Sequence, residues 1–159
     1  MLPGSDGFMA LALREAYKGS TRGDGGPFGA CIVRKGKVLA LGHNRVLRGR
    51  NATLHAEVVA IARASRKLGT HLLEGCTIYS TTEPCVMCFA AINWAKMDKV
   101  YFGTTVMDVK KLGFNELTIS NATLKRLGRS PLRIVPGHER AACLDLLRHW
   151  QALPKRRTY

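Results

Sequence analysis

The sequence predicts a single α/β layered domain built on a mixed sheet. Two observations carry this. Strand-type segments alternate with helix-type segments along 159 residues, a length that fits one domain. A long crossover separates the last two strands, and such a crossover favours parallel neighbours.

The elements follow in order. Residues 5–18 read as a helix, with Met9, Ala12, Leu13 and Ala16 at helical spacing, Ser5 or Asp6 as cap and Gly19 as terminator. The loop Gly23-Asp24-Gly25-Gly26-Pro27 is too irregular for a glycine-rich phosphate fingerprint. Residues 29–34 and 37–43 read as strands joined by a tight turn at Lys35-Gly36. A helix follows over 55–68, with Val58, Val59, Ile61 and Ala62 inward and Gly69 just past its end. Residues 76–82 form a third strand. Pro84 opens a helix to about Lys96, apolar nearly all round and so expected to be buried. A strand at 98–104, a less regular helical region, a short strand near 132–135 and a helix from about His138 to Gln151 complete the chain.

Composition limits the function classes. Hydrophobic residues make up 46% of the chain, enough for a continuous core. No apolar run approaches the roughly 20 residues of a membrane span, and the first residues lack a signal-peptide pattern, so a cytoplasmic location is expected. Five cysteines, an odd count, argue against a disulfide framework. Cys31, Cys76 and Cys143 lie in apolar stretches and read as packed thiols. The net charge is +14. Its clusters, around Arg48, Arg66, Arg126 and Arg156, are dispersed and lack interleaved aromatics. A field that attracts anions in general is favoured over a nucleic-acid track.

The chemistry lies in two short segments, His55-Ala56-Glu57 and Pro84-Cys85-Val86-Met87-Cys88. Cysteines three apart on a helix lie about 60° apart around its axis, so both sulfurs can reach one metal. The helix N-terminus favours their thiolate form. His55 is the third candidate ligand, and three protein ligands leave a fourth zinc position open, as catalytic sites require. Glu57 is the candidate base. Residues i and i+2 of a regular helix diverge by about 200°, so His55 must sit at the helix end for both to face the metal.

These segments, with Glu83 before Pro84, Gly26-Pro27-Phe28-Gly29-Ala30 and Gly42-His43-Asn44, resemble the cytidine deaminase-like zinc deaminases over roughly residues 5–118. The resemblance implies a three-layer α/β/α fold with a five-stranded mixed sheet. It also implies hydrolytic removal of an amino group from a nucleobase-type ring, with one zinc per chain. Within that superfamily, Gly113-Phe114-Asn115-Glu116, Ile92-Asn93-Trp94-Ala95 and the final Tyr159 resemble guanine and guanosine deaminases. That likeness implies a homodimer in which residues 154–159 form an arm, with Tyr159 reaching the partner's site. Asn44 and Glu116 would contact the base, Glu116 joining Glu57 in the chemistry, and Phe28 and Trp94 would wall the pocket. The histidines at 43, 71, 138 and 149 read as structural.

The chain departs from that group at Asn51-Ala52-Thr53-Leu54 and in the Asn115-Glu116 pair. The alternatives are a tRNA adenosine deaminase, an aminotriazine, cytosine or nucleoside deaminase, and a non-catalytic zinc module that binds RNA.

Overall fold

A computed structural model describes residues 7–159, so the expected caps Ser5 and Asp6 lie outside the described residues. The strands are β1 (Gly29–Arg34), β2 (Lys37–His43), β3 (Cys76–Thr82), β4 (Lys99–Thr104) and β5 (Arg133–Val135). They form one mixed sheet in the order β2-β1-β3-β4-β5. β1 is antiparallel to β2 and β3, whereas β3, β4 and β5 run parallel, as the long crossover required.

The helices are α1 (Gly7–Thr21), α2 (Val46–Gly49), α3 (Ala56–Leu68), α4 (Val86–Trp94), α5 (Val106–Lys110), α6 (Asn121–Gly128) and α7 (Arg140–Ala152). Strand alternation sorts them into two outer layers. Ala30, Ile32 and Ile78 point to one face, where they pack with Ala56, Ala60 and Ala64 of α3 and Phe89 and Ile92 of α4. Cys31, Val33 and Tyr79 point to the other, against Met9 and Ala12 of α1 and Cys143 of α7. A smaller cluster of Val109, Phe114, Leu147 and Trp150 carries the C-terminal residues Leu153 and Tyr159.

Three readings are corrected and one element is added. Helix α1 passes Gly19 and ends at Thr21, because Gly19 lies against the His43 ring, where a Cβ would approach to 2.3 Å. Its missing side chain serves packing rather than termination. The short α2 had no periodic signal in four residues. The helix after Pro84 begins at Val86, with Cys85 as its N-cap. It is also not buried all round: Ala90 and Trp94 are exposed while Cys88, Phe89 and Ile92 face the core. No helix among the described residues is long and apolar enough to cross a membrane.

Candidate active site

The site lies beyond the carboxyl ends of β3 and β4, where parallel strands commonly open a crevice. Two helix starts meet there. His55 is the N-cap of α3, with extended angles φ −68° and ψ 157°. Cys85 is the N-cap of α4, with φ −65° and ψ 173°. Neither side chain caps its own helix, so both are free to turn toward each other. The extended backbone at His55 is what lets His55 and Glu57, two residues apart, line one pocket.

His55 Nδ1 lies 3.5 Å from Cys85 Sγ and 3.6 Å from Cys88 Sγ. A tetrahedral zinc with bonds of about 2.3 Å to sulfur and about 2.0 Å to nitrogen separates such ligand atoms by about 3.5 Å. The three residues therefore fit zinc, and they are the metal-type group among the described residues. Cys85 is held down to about 4, first by the hydrogen bond from Cys88, with His55 adding to it. That same bond to Cys85, followed by burial, pushes Cys88 up.

Glu57 is buried, and its carboxyl is raised above the ordinary range by burial and then by Cys85. Ser80 Oγ donates toward Glu57 Oε1 at 2.9 Å. Glu116 lines the same pocket, and burial, with Cys85 next, raises it to about 7. Asn44 is 1% exposed. Its Oδ1 accepts from Val46 N–H at 3.1 Å, which fixes the amide. Its Nδ2 faces the Tyr159 hydroxyl yet has no partner with hydrogen-bond geometry. The amide is thus oriented, with its Nδ2 buried beside the Tyr159 hydroxyl.

The cavity has a volume of about 350 Å³. Phe28 and Phe114 meet edge to face at 5.2 Å on its wall. Tyr159 packs edge to face on Phe114 at 5.2 Å, and its hydroxyl accepts from Gly26 N–H at 3.3 Å. Gly26 must be glycine for this seat: a Cβ would stand 2.5 Å from the Phe28 ring and 2.9 Å from the Tyr159 hydroxyl. Asn115 N–H donates to the Tyr159 carbonyl at 3.2 Å.

Tyr159 lines the pocket, with its hydroxyl against Gly26 N–H. One expectation is corrected here. Trp94 does not wall this pocket; it sits in the last turn of α4 and is 76% exposed.

Three residues without an assigned role from sequence hold the site together. Ser80 is one. Glu83, buried, accepts from Val106 N–H at 3.1 Å and from Asn121 N–H at 2.7 Å. It thereby pins both ends of the segment that carries Phe114 and Glu116. Asn121 in turn donates from Nδ2 to the Pro84 carbonyl at 2.7 Å, beside the Cys85 cap. His43 is structural, as expected, bridging Glu15 at 3.0 Å and Asp24 at 2.8 Å directly behind Asn44.

Two cysteines and a histidine gathered at the starts of two helices, with a buried carboxyl beside them, define a mononuclear zinc enzyme of the hydrolytic type. Residues 5–104 match the model of the cytidine and deoxycytidylate deaminase zinc-binding region. The chain belongs to this family of zinc-dependent deaminases. It is 40% identical over 109 residues to the guanine deaminase of Bacillus subtilis (strain 168), covering 69% of this chain and 70% of that one. It is 42% identical over 99 residues to the tRNA-specific adenosine deaminase of Aquifex aeolicus (strain VF5), covering 62% of this chain and 65% of that one. Its fold is similar to the structure of guanine deaminase from Nitrosomonas europaea, with a TM-score of 0.84 and 31% identity, covering 96% of this chain and 87% of the other. Zinc is the cofactor of the family, and His55, Cys85 and Cys88 form the group that could hold it.

Proposed function

We propose that the chain deaminates guanine to xanthine, releasing ammonia, as a one-domain enzyme whose residues 154–159 form a closing arm. The observation that carries this reading is the arm itself. Tyr159 sits in a cavity of about 350 Å³ that suits a bicyclic free base better than a base held in an RNA strand.

A zinc ion held by His55, Cys85 and Cys88 would acidify a bound water. Glu57 is the base: it takes one proton from the attacking water and delivers it to a ring nitrogen, then takes the second from the hydroxyl of the adduct and delivers it to the departing amine. A C–O bond forms at the ring carbon, the C–N bond breaks, and ammonia leaves. A carboxyl raised by burial is better suited both to accept and to return a proton. Asn44 Nδ2 donates to an acceptor on the base, and the Glu116 carboxylate accepts from a ring or amino N–H. Phe28 stacks on one face of the ring. The arm excludes water from the reaction.

Association as a homodimer is part of the reading. The exposed Trp94 and Leu127, on the neighbouring helices α4 and α6, give it an apolar surface to use.

The second reading is a tRNA adenosine deaminase, favoured by the net charge of +14 and by the Aquifex relative. Ammonia release from guanine, guanosine, adenine, cytosine, ammeline and a tRNA anticodon stem-loop separates the two. Guanine should be the fastest substrate, with a shallow dependence on salt. Activity confined to the stem-loop and falling steeply with salt would favour the second reading.

A further inference from the structure

A second cleft of about 470 Å³ lies between the loop at 20–25, α2 and residues 153–157, and it shares no lining residue with the catalytic pocket. Arg22, Arg48, Lys155, Arg156 and Arg157 line it, and no carboxylate does. The acid of this loop, Asp24, is turned inward, spent on His43 at 2.8 Å and on Arg48 at 3.3 Å. Arg22, Lys155 and Arg157 have no carboxylate partner among the described residues, and all three are exposed. Part of the floor is apolar, from Leu47, Trp150, Leu153 and Pro154.

The arm therefore places Lys155, Arg156 and Arg157 in one cleft with Arg22 and Arg48, and of these five only Arg48 has a carboxylate partner among the described residues, Asp24. Like charges gathered in one cleft repel, and that repulsion works against the contacts of Tyr159 with Gly26, Asn115 and Phe114 that hold the arm. A dianion or polyanion in the cleft would offset it, and guanidinium forks match phosphate oxygens in pairs. The volume is that of a small-ligand site. The remaining clusters, around Arg66 and Arg126, do not continue the cleft into a track, which disfavours a nucleic-acid strand.

We infer that this cleft binds a small polyphosphate, and that the bound anion holds the arm closed over the catalytic pocket. The inference does not depend on which base the enzyme deaminates.

The test uses the zinc-loaded full chain. Calorimetric titration with pyrophosphate, at an ionic strength fixed by chloride, should give one site per chain. The double variant Arg22→Ala/Arg157→Ala should bind at least about tenfold more weakly. Arg63→Ala/Arg66→Ala, on the distant α3 surface, should bind within about twofold of wild type. Pyrophosphate should also slow tryptic cleavage after residues 155–157 severalfold in wild type and not in the first double variant. Inosine triphosphate, which has no exocyclic amine to lose, separates the sources. Tighter binding than pyrophosphate assigns the apolar floor to a nucleoside, and equal binding assigns the site to the phosphates alone. Absence of saturable binding at fixed ionic strength overturns the inference. So does equal affinity in the Arg22→Ala/Arg157→Ala variant, or binding of single-stranded RNA without binding of pyrophosphate.

Discussion

Ser80 holds Glu57 in place: its hydroxyl lies 2.9 Å from Glu57 Oε1, and both groups are buried. The same hydroxyl lies 2.7 Å from the Thr82 carbonyl oxygen, so Ser80 is itself fixed by the strand end. A base that must alternate between accepting and returning a proton needs this kind of constraint, since a rotated carboxylate would miss the water.

Ser80→Ala should therefore lower kcat about tenfold, in line with roughly 1.5 kcal/mol for a hydrogen bond to a charged group. KM should stay within about twofold and zinc content should be unchanged. Ser80→Thr should recover most of the loss. Steady-state kinetics with metal analysis decide the matter; equal losses in wild-type-like folds of both variants would remove the positioning role.

Sequence reasoning reached the two helix starts and the residues on them because metal ligation leaves a spacing signature. The helix-end position required of His55 is met by its extended ψ of 157°. Ser80 stood one strand period from Ile78, on the core-facing side of β3, and an inward polar residue there was a usable signal. Glu83 and Asn121 were out of reach. Their partners are backbone amides and a carbonyl 23 to 38 residues away, which no local pattern encodes. Trp94 was misplaced because a helix with apolar residues all round carries no sign of which face meets the core.

A pH-dependent contribution to stability sits at Asp108. Arg140 pairs with it through both carboxylate oxygens, at 2.7 and 3.1 Å, tying α5 to α7. Arg140, and then the Thr105 cap, hold Asp108 at about 2 against an ordinary 3.8. A carboxyl with a depressed folded pKa contributes stability that is fully present above its unfolded pKa and lost as pH falls through its folded one. Arg140 is 42% exposed, so screening limits the pair, and Asp108→Ala should cost roughly 1 kcal/mol at pH 7, cap included. Urea unfolding should show that difference constant down to about pH 4 and shrinking toward pH 2. A difference that does not change with pH would assign the loss to packing alone.

Removing residues 155–159 should leave zinc content intact and lower kcat/KM for the best substrate at least about tenfold, because a lid contributes by excluding water. Tyr159→Phe loses the contact to Gly26 but keeps the packing on Phe114, so it should fall between the truncation and wild type. A folded truncated protein with full kcat and KM would show that the arm is not a lid.

The most direct test of the central claim is to follow one substrate through the wild type and one variant. Zinc-loaded wild type given guanine should yield xanthine and ammonia in equal amounts. Glu57→Gln should retain one zinc per chain and lose turnover by about 10³-fold or more, as expected for loss of a general base. Xanthine formation that survives Glu57→Gln, or zinc-loaded wild type that releases no ammonia from guanine, would contradict the account.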